Sequence, residues 1–154
     1  MTGPCVAGRS PQFFLDANIL FSAARDPAGR SATLITLAHH AHALVATSAY
    51  AIEEARRNLA LKASSALPRL DQLVRHLRVV PDAAPDLVRQ VAARHLVPLA
   101  DAPILAAAVR AHAECLVTGD RRHFGHVMDR HVSDLPVRVV SLAHALVQAI
   151  ERIN

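Results

Sequence analysis

The sequence has few of the residues on which several classes of protein depend. Two cysteines in 154 residues, Cys5 and Cys115, are too few for a disulfide framework. Cys115 lies in an apolar, strand-like run, where we expect it to be a small core residue. There is no tryptophan, and there are only one tyrosine and four phenylalanines. The core must therefore be built from alanine, valine, leucine and isoleucine, which favours helices together with some buried strand.

Long apolar runs are also missing. No window reaches the roughly 18 uninterrupted apolar residues typical of a membrane span. The first ten residues, MTGPCVAGRS, have no apolar core of signal-peptide length. We therefore expect a soluble, cytoplasmic protein that does not associate with a membrane.

Lysine is nearly absent, although the chain is basic. The sequence contains 16 arginines and one lysine but only 13 acidic residues, so the formal net charge is +4. The sequence pI is about 10.0. Arginine can bind phosphate through paired hydrogen bonds, so this charge weakly favours an anionic partner such as nucleic acid. An ordinary basic surface explains it equally well, and no stripe of aromatic and basic residues that would stack single strands is present.

The length suits one domain, 1–154, in which residues 1–11 are expected to form a flexible N-terminal extension. Short apolar, β-branched runs at five places predict buried strands: the apolar start of QFFLDANIL (12–20), ALVATS (43–48), LRVV (77–80), CLVTGD (115–120) and VRVVSL (137–142). Helical periodicity separates them, at 31–41, 49–59, 64–77, 84–96, 101–113 and 141–150. This alternation predicts an α/β fold with a mostly parallel sheet covered on both faces.

Acidic residues stand where ligands bind in such a sheet. Asp16 directly follows the strand FFL and Asp120 follows LVTG, so both fall at the edge formed by the carboxyl ends of the strands. Glu53 and Glu54 lie in the helix that follows ALVATS, and Asp101 opens the apolar helix APILAAAV. A cluster of carboxylates raises the proton affinity of each member, a cost that usually means that a cation lies between them. Because no cysteine or histidine has matching spacing, we expect Mg²⁺ or Mn²⁺ rather than Zn²⁺.

Each acid also has an ordinary structural explanation. Asp16 or Asn18 could simply cap the helix that follows, and so could Asp101 and Asp120; capping is the commoner role for a single Asp at such a place. The two glutamates lie beyond the reach of a capping box, and a solvated helix surface is their simplest explanation.

The histidines receive structural interpretations. His39 and His42 in HHAH are one helical turn apart, but no acid or cysteine nearby completes a metal site, so a structural or surface role is favoured. His123 is closer to the acids. Beside Phe124, packing is a commoner role for it than proton transfer.

Four segments, FFLDANILFSA, IEEARRNL, LADAPILAAAV and LVTGDRRHF, resemble the signature segments of PIN-domain nucleases in order and separation. The resemblance runs from about residue 12 to 146. It implies a three-layer α/β/α sandwich with about five strands, and an endoribonuclease that depends on Mg²⁺ or Mn²⁺ and leaves a 5′-phosphate and a 3′-hydroxyl.

The resemblance also assigns roles to residues. The family's four catalytic acids, in order, match Asp16, Glu54, Asp101 and Asp120. Asp16, Asp101 and Asp120 would bind the metal, and Glu54 would be a ligand or would orient water. Asn18 matches the polar residue beside the first acid, and Thr118 matches the hydroxyl before the last.

Helix geometry does not decide between Glu53 and Glu54. If Ile52, Ala55 and Leu59 form the buried stripe, both glutamates lie about 130° from its centre, on opposite sides. The resemblance favours Glu54, because a small residue and then polar ones follow it. The small residue, Ala55, is a departure, since the family more often has leucine there.

Further expectations concern partners. The arginine pairs Arg56–Arg57 and Arg121–Arg122 stand beside acids and could bind flanking phosphates of RNA. A small PIN domain resembles the toxin half of bacterial toxin–antitoxin pairs, which implies a small antitoxin that covers the acids and a homodimer.

Other interpretations stay open. They are a catalytically inactive PIN-like interaction module and a DNA-directed nuclease of the same fold. A dinucleotide-binding domain is disfavoured because LDANIL stands where a glycine-rich turn would be. A phospho-receiver domain is disfavoured because the sole lysine, Lys62, lies in a helix.

Overall fold

The computed structural model describes residues 9–154. Residues 1–8 of the predicted N-terminal extension lie outside this range. At its other end, the extension contacts the domain: Pro11 is buried, and its carbonyl accepts a hydrogen bond of 3.0 Å from Glu114 N.

A five-stranded, entirely parallel sheet forms the centre of the domain. Its strand order is β3-β2-β1-β4-β5. The strands are β1 (Phe13–Leu15), β2 (Val45–Ser48), β3 (Arg78–Val80), β4 (Cys115–Val117) and β5 (Arg138–Val140). The three central strands, β2, β1 and β4, are buried at every residue, as expected for a parallel sheet with both faces covered. All five predicted strands are confirmed, and so is the predicted class of fold.

Helices occupy most of the remaining chain. Within the described residues they are α1 (Ala17–Arg25), α2 (Arg30–His40), α3 (Ala49–Lys62), α4 (Leu67–Val74), α5 (Pro85–His95), α6 (Ala102–Arg110), α7 (Arg121–Phe124) and α8 (Leu142–Ile153), with a 3₁₀ turn at Ser64–Ala66. Capping serines begin two of them: Ser48 accepts a hydrogen bond from Ala51 N, and Ser141 accepts one from His144 N, each at 3.2 Å.

The helices form a layer on each side of the sheet. Helices α1 to α4 pack against one another, and α8 packs on α2, while α5 and α6 pack together. This gives three layers, α/β/α, with a single hydrophobic core that reaches from Phe13 to Ala149. No helix in residues 9–154 combines the length and the apolar character that crossing a bilayer requires.

The strand register determines which loops meet. Leu15 of β1 pairs with Val117 of β4, and Asp16 N donates to Val117 O at 3.0 Å. The next residues, Asp16 and Thr118, therefore leave the sheet side by side. This edge, at the carboxyl ends of β1 and β4, is where the predicted site residues should gather.

Candidate active site

Asp16 is the most deeply buried acid of the site. It directly follows β1, caps α1 and is only 5% exposed. Its Oδ1 accepts a hydrogen bond of 2.7 Å from Ala17 N. Its Oδ2 accepts hydrogen bonds from Thr118 Oγ1 at 2.6 Å and from Asn18 Nδ2 at 3.1 Å. Three donors thus hold this carboxylate in one orientation.

Asn18 and Thr118 join the loops after β1 and β4. Asn18 Nδ2 donates to Thr118 Oγ1 at 3.2 Å, and Asn18 Oδ1 accepts from Gly119 N at 3.0 Å. Thr118, which is fully buried, also accepts a hydrogen bond from Asp120 N at 3.0 Å. The two residues therefore fix the position of Asp120 relative to Asp16.

Asp101, Asp120 and His123 form a compact group. Asp120 caps the short helix α7, accepting a 3.0 Å hydrogen bond at Oδ1 from His123 N. His123 Nδ1 lies 2.8 Å from Asp120 Oδ2 and 3.1 Å from Asp101 Oδ2. Asp101 precedes α6, yet its side chain accepts no capping hydrogen bond there. Helix capping thus explains the position of Asp120 but does not explain Asp101.

The two candidate glutamates have different surroundings. Glu53 is exposed, whereas Glu54 is half-buried and lines a cavity of about 190 Å³ with Asn18, Phe21 and Lys62. Burial raises the pKa of Glu54, and the negative charges of Asp16 and Asp101 raise it further. The charges of the neighbouring aspartates therefore act on Glu54.

Charge repulsion and burial act together in this site. Burial raises the pKa of Asp16 to about 6; the hydrogen bonds from Thr118 and Ala17 oppose this shift, and the charges of Asp101 and Asp120 add to it. Burial also raises the pKa of Asp101, an effect that His123 opposes. A cation among these carboxylates would offset both costs.

The donor set suits a divalent cation. Asp101, Asp120 and His123 each offer one ligand atom, and these atoms all lie within 4.8 Å of one another. The Asp16 carboxylate lies close enough for the charges of Asp101 and Asp120 to raise its pKa. Carboxylate oxygens fit Mg²⁺ or Mn²⁺, and an imidazole also suits Mn²⁺ and the later first-row transition metals.

Sequence reasoning missed two residues near these acids. Packing is the role that the sequence favours for His123, although its spacing of three residues from Asp120 would place both on one face of a helical turn. Tyr50 has no role in the sequence-based interpretation. Its hydroxyl donates to Ala100 O at 2.9 Å, and burial followed by the charge of Glu54 raises its pKa.

The four arginines proposed to bind phosphate differ in whether their side chains are exposed or paired with an acid. Arg57, Arg121 and Arg122 are exposed. Arg56 instead forms an ion pair of 2.9 Å with Asp71 of α4.

Outside the site, His39 Nε2 lies 3.2 Å from His76 O, an arrangement that supplies no acid or cysteine for a metal.

Comparison with known proteins identifies the family. Residues 12–122 match the family model described as PIN domain. The chain therefore belongs to the PIN domain family, as the four segments indicate. No curated protein matches the sequence.

Solved structures of similar fold agree with this assignment. PAE2754 from Pyrobaculum aerophilum superposes with a TM-score of 0.67 at 20% identity, covering 92% of this chain and 90% of that one. The structure of VapBC2 from Rickettsia felis bound to a promoter DNA fragment superposes with a TM-score of 0.65 at 15% identity. The match covers 84% of this chain and 97% of that one. FitAcB from Neisseria gonorrhoeae gives 0.56 at 22% identity, with 86% and 99% covered. At these identities the likeness concerns the fold.

Proposed function

We propose that this PIN-domain protein is a divalent-metal-dependent endoribonuclease that hydrolyses phosphodiester bonds of RNA. The observation that carries the proposal is the convergence of Asp16, Glu54, Asp101 and Asp120, from four separate segments, on one edge of the sheet. Burial and mutual repulsion raise the pKa of three of these acids, Asp16, Glu54 and Asp101. A site that needs no cation would have little reason to keep such an arrangement.

Each side chain has a role in this proposal. Asp16, Asp101 and Asp120 would hold Mg²⁺ or Mn²⁺, and Glu54 would be a further ligand or would orient the attacking water. The ion would acidify water and offset charge on the scissile phosphate. Asn18 and Thr118 would hold Asp16 in place through the hydrogen bonds described above.

The reaction needs no nucleophile from the protein. The water oxygen would bond to phosphorus as the bond from phosphorus to the 3′ oxygen breaks. The products would be a 5′-phosphate and a 3′-hydroxyl. Arg57, Arg121 and Arg122 are exposed and would bind flanking phosphates without reading the bases. Arg56 could join them only by leaving Asp71.

Cleavage of a mixed RNA pool tests the proposal. The wild type and the variants Asp16→Asn and Glu151→Gln are each incubated with the RNA in the presence of Mg²⁺ or Mn²⁺. Parallel reactions contain EDTA. The second variant is a matched control, because Glu151 is an exposed acid of α8. We expect metal-dependent fragments with 5′-phosphates from the wild type and Glu151→Gln alone. Equal cleavage in all reactions would contradict the proposal that this protein is the enzyme.

The same reactions, repeated with single- and double-stranded DNA pools, separate the rival functions. An inactive interaction module would cleave nothing under any condition. A DNA-directed nuclease would cut a single- or double-stranded DNA pool faster than RNA. Either result would replace the endoribonuclease proposal.

We further propose that the protein is the toxin of a toxin–antitoxin pair, acting in the cytoplasm as a homodimer. The similar structures of VapBC2 and FitAcB support this extension. A small antitoxin would cover the acids.

Growth of bacteria that express the chain tests this extension. Expression of the wild type alone should arrest growth, whereas expression of Asp16→Asn should not. Co-expression of a short open reading frame adjacent to the gene should restore growth. Arrest by both proteins would contradict toxicity through this site.

A further inference from the structure

His123 occupies the space between two acids of the site. Its Nδ1 is within 3.1 Å of a carboxylate oxygen of both Asp101 and Asp120. Its backbone N–H donates to the other oxygen of Asp120, and the next residue, Phe124, is fully buried. The imidazole is thus placed by the fold, with its side chain 36% exposed.

The chemistry of this nitrogen differs from that of the surrounding oxygens. Mg²⁺ strongly prefers oxygen ligands, whereas Mn²⁺ and the later first-row metals also accept imidazole. A site of carboxylates alone would discriminate little between Mg²⁺ and Mn²⁺. One imidazole within ligand distance of the same ion changes that balance.

We infer that His123 Nδ1 is a metal ligand beside Asp101 and Asp120, and that it makes the centre selective for Mn²⁺ over Mg²⁺. The inference rests on the proposed function, since the ion concerned is the one that the nuclease would use. It assigns His123 a role as ligand and specificity determinant, in addition to the four acids.

A purely electrostatic role for His123 predicts the opposite result. If a positively charged imidazole only screens Asp101 and Asp120, it competes with cations. Its removal would then strengthen the binding of every divalent ion by a similar factor. A ligand, in contrast, contributes to Mn²⁺ affinity, and its removal weakens Mn²⁺ binding while leaving Mg²⁺ binding nearly unchanged.

Calorimetric titration with Mg²⁺ and Mn²⁺ distinguishes these roles. The proteins are the wild type, His123→Ala and the control His131→Gln, which removes an exposed histidine of another loop. Loss even of an outer-shell partner costs roughly 10- to 100-fold in metal affinity. We therefore expect His123→Ala to weaken Mn²⁺ binding by at least about tenfold and Mg²⁺ binding by less than about threefold. Equal weakening of both ions, or a gain for both, would overturn the inference.

Pulsed electron paramagnetic resonance gives a second readout that does not depend on a variant. Mn²⁺ bound to the wild type should show hyperfine coupling to a directly bound ¹⁴N, and His131→Gln should retain it. His123→Ala should lose the coupling if it folds, which circular dichroism checks. Absence of nitrogen coupling in the wild type would by itself contradict the inference.

The outcomes separate this inference from the nuclease proposal. Nitrogen-coupled Mn²⁺ without RNA cleavage would leave His123 as a ligand and refute the endoribonuclease proposal. Metal-dependent cleavage with no nitrogen coupling would refute only the role of His123. A wild type that binds neither ion would refute both.

Discussion

Two sides of the acid site are built differently. The strand side consists of Asp16, Asn18, Thr118 and Asp120, which follow β1 and β4 and are joined by hydrogen bonds of 2.6 to 3.2 Å. The helix side consists of Glu54 and Asp101. In the described part of the chain, neither the Glu54 carboxylate nor the Asp101 carboxylate accepts a hydrogen bond, although His123 Nδ1 lies 3.1 Å from Asp101 Oδ2.

This difference indicates that the two sides of the site have different roles. The strand side is stabilised by the fold itself and defines where an ion and the scissile phosphate would lie. The helix side is held mainly by the position of its helices, so its carboxylates can adjust to an ion or a substrate. Substitutions on the strand side should therefore change both stability and activity, whereas those on the helix side should change activity alone.

The largest expected effect is on the helix side. Glu54→Gln should reduce the rate of RNA cleavage by between about 100- and 10,000-fold, the usual contribution of a group that orients or deprotonates water. Its free energy of unfolding should change by less than about 0.5 kcal/mol. Rates measured at saturating metal, with urea unfolding in parallel, check both values.

Glu53→Gln is the matched control for this change, since the two glutamates are neighbours on α3. We expect it to retain nearly full activity because Glu53 is exposed. If Glu53→Gln were the inactive variant instead, the assignment of the second acid would be wrong.

The next effect concerns pH and the strand side. The pKa of Asp16 rises from 3.8 to about 6 on folding, so between these values the folded protein keeps a proton that the unfolded chain releases. Without metal, this contribution to stability is complete below about pH 3.8 and is lost as pH rises through about 6. A shift of roughly two units corresponds to at most about 3 kcal/mol.

Urea unfolding of the metal-free protein from pH 4 to 8 measures this effect. Asp16→Asn should make the decline in stability over that range shallower, because the amide does not titrate, while Glu54 and Asp101 still contribute to it. An equally steep decline in the variant would mean that other groups cause it. Adding Mn²⁺ at pH 7 should stabilise the wild type more than the variant.

A smaller effect should follow from removal of the Thr118 hydroxyl. Thr118→Val leaves the shape nearly unchanged but removes hydrogen bonds to Asp16, Asn18 and Asp120. The expected decrease in stability is about 1 to 3 kcal/mol, with reduced cleavage. Thr47→Val is the matched control, since Thr47 is also fully buried but makes one such bond, to Leu15 O at 2.9 Å. It should cost about 1 kcal/mol and leave activity intact.

The smallest effect is expected at the surface beside the strand side. Replacing Arg121 and Arg122 together by alanine should weaken RNA binding and lower its salt dependence, by about one unit of slope for each phosphate that the variant no longer binds. Arg56→Ala should change the slope little, because Arg56 pairs with Asp71. Binding by the double variant that equals wild type from low to moderate salt would refute phosphate binding by this pair.

The sequence predicted the sheet and the strand side well, because local signals determine both. Apolar runs mark the strands, and an acid or hydroxyl directly after a parallel strand must lie at the carboxyl edge. That rule places Asp16, Thr118 and Asp120 on the same edge of the sheet, and the pairing of β1 with β4 brings them side by side. It does not depend on how the helix layers pack.

The helix side was harder to predict, because its geometry depends on packing. The stripe expected for α3 included Ile52, but the buried residues are Ala51, Ala55 and Leu59. Around the centre of that observed stripe, Glu54 lies at about 100° and Glu53 at about 160°. This rotation turns Glu53 to solvent and leaves Glu54 half-buried.

His123 escaped prediction for a related reason. Helix α7 has only four residues, too few for a periodic pattern. Its contact with Asp101 depends on how the start of α6 approaches the loop after β4. No pattern local to either segment specifies that approach.

The most direct test of a shared ion is the anomalous diffraction of crystals grown with Mn²⁺. We predict a Mn²⁺ peak in contact with carboxylate oxygens of Asp16, Asp101 and Asp120. A peak elsewhere, for example beside His39 and His76, with none among the three aspartates, would contradict the shared ion.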